Sequence, residues 1–503
     1  MSGNQYGKEW TKQHTLKSAL LFFTHCIIFM ALAAGLLLGD KLSQLNEFMK
    51  AQGANYLYAI FCVVMLFIIM YFYFFFEDRE ILMRGKDIAL VFTILDLQLV
   101  LSCLIGYKIA IYARPVALVA LLVFTLIGRR NAIFMTILSA LLIFVIDTFA
   151  VVETSTKECY SSLIISFCAG MIAIFFGSKA KTRFSVIGIG IFIVLPIDLV
   201  IFLLGITNLM DTSLVFSGAT DVFRDIVTQM GYGLFGGVMS AVLFLAVLPV
   251  FEYLFNRLTA FRLRELTSSD AKILKKLKAE APGTYNHSVM VAQLAEASAA
   301  AVGENVDYAR AAALYHDVGK LHYPEHFTEN QGDYNLHDEL TPELSADIIR
   351  SHAKDGYTLI RNHRLPEFLA DIALEHHGTM PIRYFYAKAL KMTDGELNIE
   401  DFSYMGPKPK TKLAAIIMIC DASEAAVRAA NARKPEDAEK AIRAVIEERM
   451  DLEQFSECDV TMADLTKIRQ ALVNALTGVY HHRIKYPSIK YRHTENGTKG
   501  ENE

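Results

Sequence analysis

Seven histidine and aspartate residues in the C-terminal half of the chain have side chains that can bind divalent transition metals. Twelve of the fourteen histidines follow residue 286, although the preceding part of the chain is the longer one. Four such ligands hold one ion, whereas seven that include a shared carboxylate can hold two. Two ions about 3.5–4 Å apart can contact both the attacking and the leaving oxygen of a phosphodiester. The seven residues, which together predict phosphodiester hydrolysis, are His287, His316, Asp317, His352, His376, His377 and Asp421.

Each of these residues also has a purely structural interpretation. A single histidine on an amphipathic helix, such as His287 or His352, is more often a hydrogen-bonded core residue than a metal ligand. Asp421 is harder to explain in this way, because it follows the apolar run Ala414 to Cys420. A buried carboxylate is costly unless it is paired or bound to metal. The metal interpretation therefore depends on all seven residues occurring together.

Helices are predicted to position the seven residues, because apolar residues recur at helical spacing and no segment alternates as a strand would. Pro282 and Gly303 would begin and end the helix that carries His287. Ligands from several helices can form a metal site inside a bundle. The other predicted helices run from Ala309 to Leu321 with His316 and Asp317, from Pro342 with His352, from Leu369 to His377, and from Leu413 to Asn431 with Asp421.

The first half of the chain is a series of apolar runs of about 20 residues, each long enough to span a bilayer core of about 30 Å. It is predicted to form an all-α transmembrane bundle. The first run is longer than the apolar core of a signal peptide, so we expect it to remain as a span. The fourth span is the weakest prediction, since Arg114-Pro115 interrupts its run. The eight predicted spans are 18–38, 55–76, 88–107, 112–128, 132–152, 161–177, 184–206 and 230–252.

Basic residues are unevenly distributed between the predicted loops. With eight spans and a cytoplasmic N-terminus, the basic clusters all fall inside, which is the positive-inside asymmetry of multi-pass membrane proteins. This topology places the histidine-rich half in the cytoplasm. A seven-span count with the same N-terminus would export that half, and we reject it. The inside residues are Lys8, Lys12, Lys17, Arg79, Arg84, Lys86, Arg129, Arg130, Lys179, Lys181, Arg183, Arg257, Arg262 and Arg264.

The predicted domains are a transmembrane region at 1–255, connecting helices at 256–283, a soluble helical domain at 284–490 and a disordered tail at 491–503. One continuous helix is predicted from Pro249 to Leu266, either as a route for signals or as a tether. The seven cysteines show no paired spacing and indicate no disulfide framework. Three acids inside spans mark either an ion or ligand pathway or hydrogen bonds between helices. They are Asp96, Asp147 and Asp198.

Short motifs in the soluble half resemble those of known proteins. The order His, His-Asp, Asp, with HDVGK at 316–320, resembles the HD metal-dependent phosphohydrolases. Together with the preceding spans, the chain is similar to the seven-transmembrane HD family of bacterial receptors, which includes cyclic di-AMP phosphodiesterases of the PgpH type. That family usually carries a large extracytoplasmic domain after the first span, whereas this interval is only Asp40 to about Ala54. The motifs are APGTYNHS (281–288), YHDVGKL (315–321), ENQ (329–331), NLHD (335–338), HHGT (376–379), GPKPKTK (406–412) and CDASEAAVR (420–428).

The resemblance implies a division of the ligands between two metals, manganese or iron. His287, His316, Asp317 and Asp421 would hold the first, and Asp317 would bridge to a second held also by His352, His376 and His377. A water between two such cations loses a proton near neutral pH and can attack phosphorus. The implied reaction opens cyclic di-AMP to linear pApA. Asp317 and Lys320 would be catalytic, with Lys320, predicted one helical turn from His316, also contacting a substrate phosphate.

Three other functions remain open at the level of the sequence. A cyclic di-GMP enzyme of the HD-GYP group would carry Gly-Tyr-Pro after its paired histidines, whereas this chain reads HHGTMPIRYFY. A membrane receptor or transporter whose HD domain only binds nucleotide would be expected to have lost ligands. An HD hydrolase of mononucleotides is a third possibility, against which the second set of metal ligands argues, and hydrolysis of another cyclic dinucleotide also remains open. The short basic clusters do not indicate nucleic acid as a partner, and a homodimer is compatible with the sequence.

Overall fold

The computed structural model of this protein describes residues 12–38, 45–150, 155–180, 182–210, 219–392, 395–432 and 434–479. The described residues are helical, and their β-structure is a single isolated bridge between Pro381 and Ser403. They form two compact units, divided between Glu265 and Leu266. The predicted all-α class is confirmed. The predicted disordered tail, 491–503, lies outside the described residues.

The membrane unit contains seven described helices that are long and apolar enough to cross a bilayer. Their outer surfaces carry exposed leucine, isoleucine and phenylalanine side chains, as expected for helices that face lipid. They coincide with seven of the eight predicted spans, and the chain is a multi-pass membrane protein. The helices are α1 (Lys12–Leu38), α2 (Leu45–Glu77), α3 (Arg79–Met83), α4 (Gly85–Lys108), α5 (Leu118–Leu126), α6 (Arg129–Ala150), α7 (Thr156–Gly177), α8 (Ser185–Met210) and α9 (Ala219–Leu254).

The fourth predicted span, 112–128, is wrong in length. A 3-10 turn at Ile111–Ala113 precedes α5, which has 9 residues. At 1.5 Å per residue this helix is about 13 Å long, far short of a bilayer core. Its residues from Leu118 to Val123 are at most 1% exposed. The helix is therefore surrounded by protein, and the break at Arg114-Pro115 separates it from α4.

Although α5 is short, the chain returns between α4 and α6 to the end of the bundle where α2 ends. Arg130, at the start of α6, forms an ion pair with Glu77 at the end of α2. Arg257, which follows α9, pairs with Asp87 in the first turn of α4 at 2.8 Å. These contacts bring basic residues from separate loops to one end of the membrane unit, which we call the basic end.

The predicted continuous helix from Pro249 to Leu266 is also wrong. Helix α9 ends at Leu254, and Asn256 has a φ of 50°, in the left-handed region that ends helices. The hydroxyl of Thr259 then accepts a hydrogen bond from the Arg262 amide at 3.2 Å, which caps the next helix. The apolar periodicity continues through this break, but the helix does not.

The second unit is a bundle of shorter helices around an alanine-rich core. Helix α12 is central, because it packs against α13, α17 and α19. Pro282 begins it, and Gly303, at φ 81°, ends it as predicted. Helix α10 (Ala260–Leu266) ends where this unit begins. The helices of the unit are α11 (Lys272–Glu280), α12 (Pro282–Val302), α13 (Val306–Tyr315), α14 (Pro342–Asn362), α15 (Glu367–Glu375), α16 (Arg383–Leu390), α17 (Lys412–Ala429), α18 (Pro435–Asp451) and α19 (Met462–Val479).

Candidate metal centre

The structure brings all seven predicted ligands together in the second unit. His287, His352 and Asp421 project from within α12, α14 and α17, whereas His316 and His376 are the capping residues that follow α13 and α15. Groups of these side chains lie with their ligand atoms within 4.8 Å of one another. All are buried except His377, whose side chain is 23% exposed. The cluster can hold a divalent metal.

Asp317 lies at the centre of the cluster, and its two carboxylate oxygens face different histidines. Its Oδ2 is 3.3 Å from His316 Nε2 and 3.7 Å from His287 Nε2. Its Oδ1 is 3.3 Å from His352 Nε2 and 3.6 Å from His376 Nε2. A carboxylate arranged in this way can contribute one oxygen to each of two sites.

Asp421 faces the same cluster from α17. Its Oδ1 is 2.9 Å from His287 Nε2 and 3.8 Å from His316 Nε2. Its Oδ2 is 3.8 Å from His377 Nδ1. His377 also belongs to the group formed by Asp317, His352 and His376, so Asp421 adjoins both sets of histidines.

Three histidines are fixed in one tautomer by their own helices. The Nδ1 atoms of His316, His352 and His376 lie 2.6, 2.5 and 2.8 Å from the carbonyl oxygen three residues earlier. Because a carbonyl oxygen only accepts, each Nδ1 must carry the proton. The Nε2 atoms, which carry a lone pair when the ring is neutral, then point into the cluster, as metal ligation requires.

Hydrogen bonding within the protein does not satisfy this centre. Among the described residues, His316 Nε2 and Asp317 Oδ1 are buried without a hydrogen-bond partner. His352 Nε2 and His376 Nε2 lie 3.2 Å apart, although the tautomers make both of them acceptors. Buried acceptors that face one another are unfavourable unless a cation lies among them. Imidazoles and carboxylates suit first-row divalent metals such as manganese and iron, so the residues fit the implied cofactors.

The electrostatics of the cluster keep both carboxylates ionised. Burial alone would raise the pKa of Asp317, but His316 and Lys320 hold it well below its ordinary value. Hydrogen bonds from His287 and His316 likewise outweigh burial and lower the pKa of Asp421. Burial would lower the pKa of His316, yet Asp317 and Asp421 raise it to about 10. The proton on His316 therefore supplies positive charge beside the two carboxylates.

Burial has the opposite consequence for the paired histidines. It lowers the pKa of His376, and together with the neighbouring His376 ring it lowers the pKa of His377 well below the ordinary value. Both rings are therefore neutral near pH 7. Neutral imidazole is the form that binds metal.

The sequence predicted Lys320 on the same helix as His316, and this prediction is wrong. Helix α13 ends at Tyr315, and Lys320 lies on a 3-10 turn, Val318–Leu321. A side chain at Gly319 would put its Cβ 1.9 Å from the carbonyl oxygen of His352. The glycine of the HDVGK motif therefore allows the turn to pack directly against α14, which brings the two sets of ligands together.

The ammonium group of Lys320 is held between two acids. Its Nζ is 2.7 Å from Asp317 Oδ2 and 2.8 Å from Glu329 Oε1. Thr284 donates a hydrogen bond to the same Glu329 oxygen at 3.1 Å. This chain of contacts orients the central carboxylate. The predicted contact between Lys320 and a phosphate of the substrate stays a prediction.

Sequence reasoning missed three residues that contact the cluster. Glu424 accepts a hydrogen bond from His287 Nδ1 at 2.9 Å, and Glu329 binds Lys320. The Tyr404 ring stacks on His377 with their centroids 4.3 Å apart. Glu424 could have been found, because it follows Asp421 by three residues and shares its helix face. Glu329 lies within a quoted motif without a role, and Tyr404 lies in a loop whose pattern gives no signal.

The fold and the site together define a multi-pass membrane protein with an HD domain. Residues 54–259 match the family of 7TM receptors with an intracellular HD hydrolase, and residues 284–426 match the HD domain. The chain belongs to this 7TM receptor–HD family, and the predicted resemblance is confirmed.

The chain is similar to two curated proteins and to a solved structure. The cyclic-di-AMP phosphodiesterase PgpH of Bacillus subtilis is 37% identical over 430 residues, which cover 84% of this chain and 59% of that protein. PgpH of Listeria monocytogenes is 42% identical over 292 residues, which cover 58% and 40%. The chain thus spans 59% and 40% of the lengths of these curated relatives. A crystal structure of the L. monocytogenes PgpH HD domain in complex with cyclic-di-AMP is 47% identical, covers 42% of this chain and 99% of that one, and has a TM-score of 0.41.

Proposed function

We propose that this protein is a membrane-anchored, metal-dependent phosphodiesterase that hydrolyses cyclic di-AMP to linear pApA. The observation that carries the proposal is Asp317, whose two oxygens face separate sets of histidines at 3.3 to 3.7 Å. Such a centre suits the displacement of one phosphate ester oxygen by a water. The choice of substrate follows the two relatives that are named as cyclic-di-AMP phosphodiesterases.

The residues divide between two cations, manganese or iron, in the following way. His287, His316 and Asp421 would hold the first, and His352, His376 and His377 the second, with Asp317 shared by both. When bound, two such cations supply a nucleophile near neutral pH and offset negative charge on the phosphate. This division is supported by the histidines that each oxygen of Asp317 faces.

The side chains of the protein orient the proposed metal ligands and exclude water from the centre. The carbonyl partners of His316, His352 and His376 fix their tautomers, and Lys320 holds the plane of the Asp317 carboxylate. Asp317 and Lys320 are the proposed catalytic residues. The Lys320 ammonium group has three donors, and Asp317 and Glu329 engage two of them. On substrate binding, the third would donate a hydrogen bond to a phosphate oxygen.

The proposed location is the bacterial inner membrane with the HD domain in the cytoplasm. The support is the basic end of the membrane unit, where Arg130, Arg183 and Arg257 meet acidic partners. Cytoplasmic loops carry such an excess of cations. The bilayer and a cyclic dinucleotide are the proposed partners, nucleic acid is not, and a homodimer is compatible with this arrangement.

The test is hydrolysis by the purified full-length chain in nanodiscs containing Mn²⁺. Cyclic di-AMP, cyclic di-GMP and AMP are offered separately, and the products are separated by chromatography. We expect pApA from cyclic di-AMP and little turnover of the others, with Asp317→Asn as the inactive control. Preferential cleavage of cyclic di-GMP or of AMP would contradict the substrate. Tight binding of cyclic di-AMP without turnover would instead indicate a receptor with a regulatory HD domain.

A further inference from the structure

A buried ion pair fixes an irregular segment inside the membrane unit. Arg114 donates two hydrogen bonds to the carboxylate of Asp147, at 2.6 and 2.9 Å, and Tyr107 donates a third at 2.8 Å. The side chains of Arg114 and Asp147 are each 1% exposed. One of the three predicted intramembrane acids is therefore structural. Among the described residues, Asp96 and Asp198 each have one buried carboxylate oxygen without a hydrogen-bond partner.

Two glycines let neighbouring helices approach this segment closely. A Cβ at Gly106 of α4 would lie 2.0 Å from Arg114 Nε. A Cβ at Gly236 of α9 would lie 2.7 Å from the Arg114 carbonyl oxygen and 2.8 Å from that of Tyr112. Irregular backbone at membrane depth is tolerated where it is buried in protein or lines a cavity. In membrane transporters, interrupted helices of this kind form binding sites.

A cavity of about 120 Å³ adjoins this segment at the end of the bundle opposite to the basic end. Tyr112, which is 5% exposed, lines the cavity, and among the described residues its hydroxyl has no hydrogen-bond partner. A buried hydroxyl without a partner is unfavourable unless water or a ligand satisfies it. The other lining residues are Ser155, Lys157, Glu158, Ile201, Leu204, Gly205, Asp225, Ile226 and Gln229.

The chemistry of the cavity wall favours a small cation. Two carboxylates, Glu158 and Asp225, and one ammonium group, Lys157, line it. One Glu158 oxygen accepts from the Ser155 amide at 3.0 Å, and Asp225 has only a 3.4 Å contact with Gln229. Apolar residues of α8 form the facing wall. The volume is far below the roughly 300–1,000 Å³ of sites for drug-sized ligands, so the ligand has few heavy atoms.

We propose that this cavity binds a primary ammonium group, with Asp225 and Glu158 as its carboxylate partners and the Tyr112 hydroxyl as a further acceptor. Two sources present this chemistry: a soluble amine and the ethanolamine headgroup of a membrane phospholipid. The site is separate from the metal centre and does not depend on the proposed hydrolysis. Since α1 ends at Leu38 and α2 begins at Leu45, no large domain lies between them, and a ligand at this end meets the membrane unit itself.

The experiment uses the full-length chain in phosphatidylcholine nanodiscs. Ethylammonium chloride is titrated while the thermal unfolding midpoint is measured, with sodium chloride at equal ionic strength as the reference. We expect a saturable rise in the midpoint. Asp225→Asn should weaken the apparent affinity at least tenfold and Tyr112→Phe severalfold. Asp221→Asn is the matched control, because this acid lies one turn earlier on α9 and is not among the residues that line the cavity, and it should behave as the wild type.

A parallel arm distinguishes the two sources of the ammonium group. Nanodiscs that contain phosphatidylethanolamine should raise the midpoint and reduce the ethylammonium response if the lipid headgroup is the ligand. An unchanged response indicates a soluble amine. The proposal is overturned if neither ethylammonium nor phosphatidylethanolamine shifts the midpoint. It is also overturned if the shift is the same in the wild type, Asp225→Asn and Tyr112→Phe.

Discussion

Replacing Glu424 with alanine should weaken metal binding, although Glu424 is not a proposed ligand. Helix α17 contacts both nitrogens of the His287 ring: Asp421 lies 2.9 Å from Nε2, and Glu424 lies 2.9 Å from Nδ1. His316, His352 and His376 use backbone carbonyls as partners for Nδ1. His287 alone among these four rings depends on a side chain for its orientation.

The expected magnitude follows from this contact. Loss of the partner of a metal-binding histidine costs about 10- to 100-fold in metal affinity, or about 1.4 to 2.7 kcal/mol. Glu424 is 4% exposed, so water does not readily replace its oxygen, and we expect a value near the upper limit. Glu424→Gln keeps an acceptor for Nδ1–H and should lose less than about tenfold.

The assay is a competition titration of Mn²⁺ against a chromophoric chelator, using the metal-stripped full-length chain. Glu447→Ala on α18 is the matched control, since Glu447 is exposed and does not belong to the groups of metal-binding side chains. Circular dichroism shows whether each variant retains its helices. If folded Glu424→Ala binds Mn²⁺ as tightly as the wild type, the side chain does not orient His287 and the reasoning is refuted.

Three further predictions concern the same centre. Elemental analysis of the reconstituted chain should give two ions, and His352→Ala should reduce that number to one; a single ion in the wild type would exclude a shared carboxylate. Asp317→Asn should abolish turnover, whereas Lys320→Met should retain metal and lower the rate by about 10²-fold, as loss of one charge-stabilising donor does; substantial activity of Asp317→Asn at saturating Mn²⁺ would contradict this assignment. The free energy of unfolding of the metal-free chain should fall between about pH 6.5 and about pH 10. Folding raises the pKa of His316 from 6.5 to about 10, so the stabilisation by its protonated form is lost as the pH rises through the folded value. Thermal unfolding at the two limits checks this, and an equal midpoint at both would contradict it.

The sequence predicted the helices of the site well where their ends are marked by local chemistry. Pro282 and Gly303 bound α12 as expected, and Gly378, at φ 52°, follows the paired histidines. Residue types and order were sufficient to select the seven side chains that the fold brings together. Their spacing could not show that Asp317 presents one oxygen to each set, because that depends on how α13 and α14 pack.

The errors arose where tertiary contacts override local pattern. The helix predicted from Ala309 to Leu321 ends at Tyr315, since Gly319 packs against the backbone of His352. Apolar periodicity also concealed the break after α9, although Asn256 and Thr259 are residues that commonly end and begin helices.

The short helix α5 determines whether the number of membrane crossings is odd or even. Seven full-length spans alone would leave the start of α1 and the end of α9 on opposite faces of the bilayer. The interrupted return from Ile111 to Leu126 adds an eighth crossing without adding a helix of bilayer length. An even number of crossings puts both ends of the membrane unit on one face, together with the cations of its basic end. The segment from Ile111 to Leu126 is therefore the reason that the start of α1 and the end of α9 lie at the same end of the membrane unit.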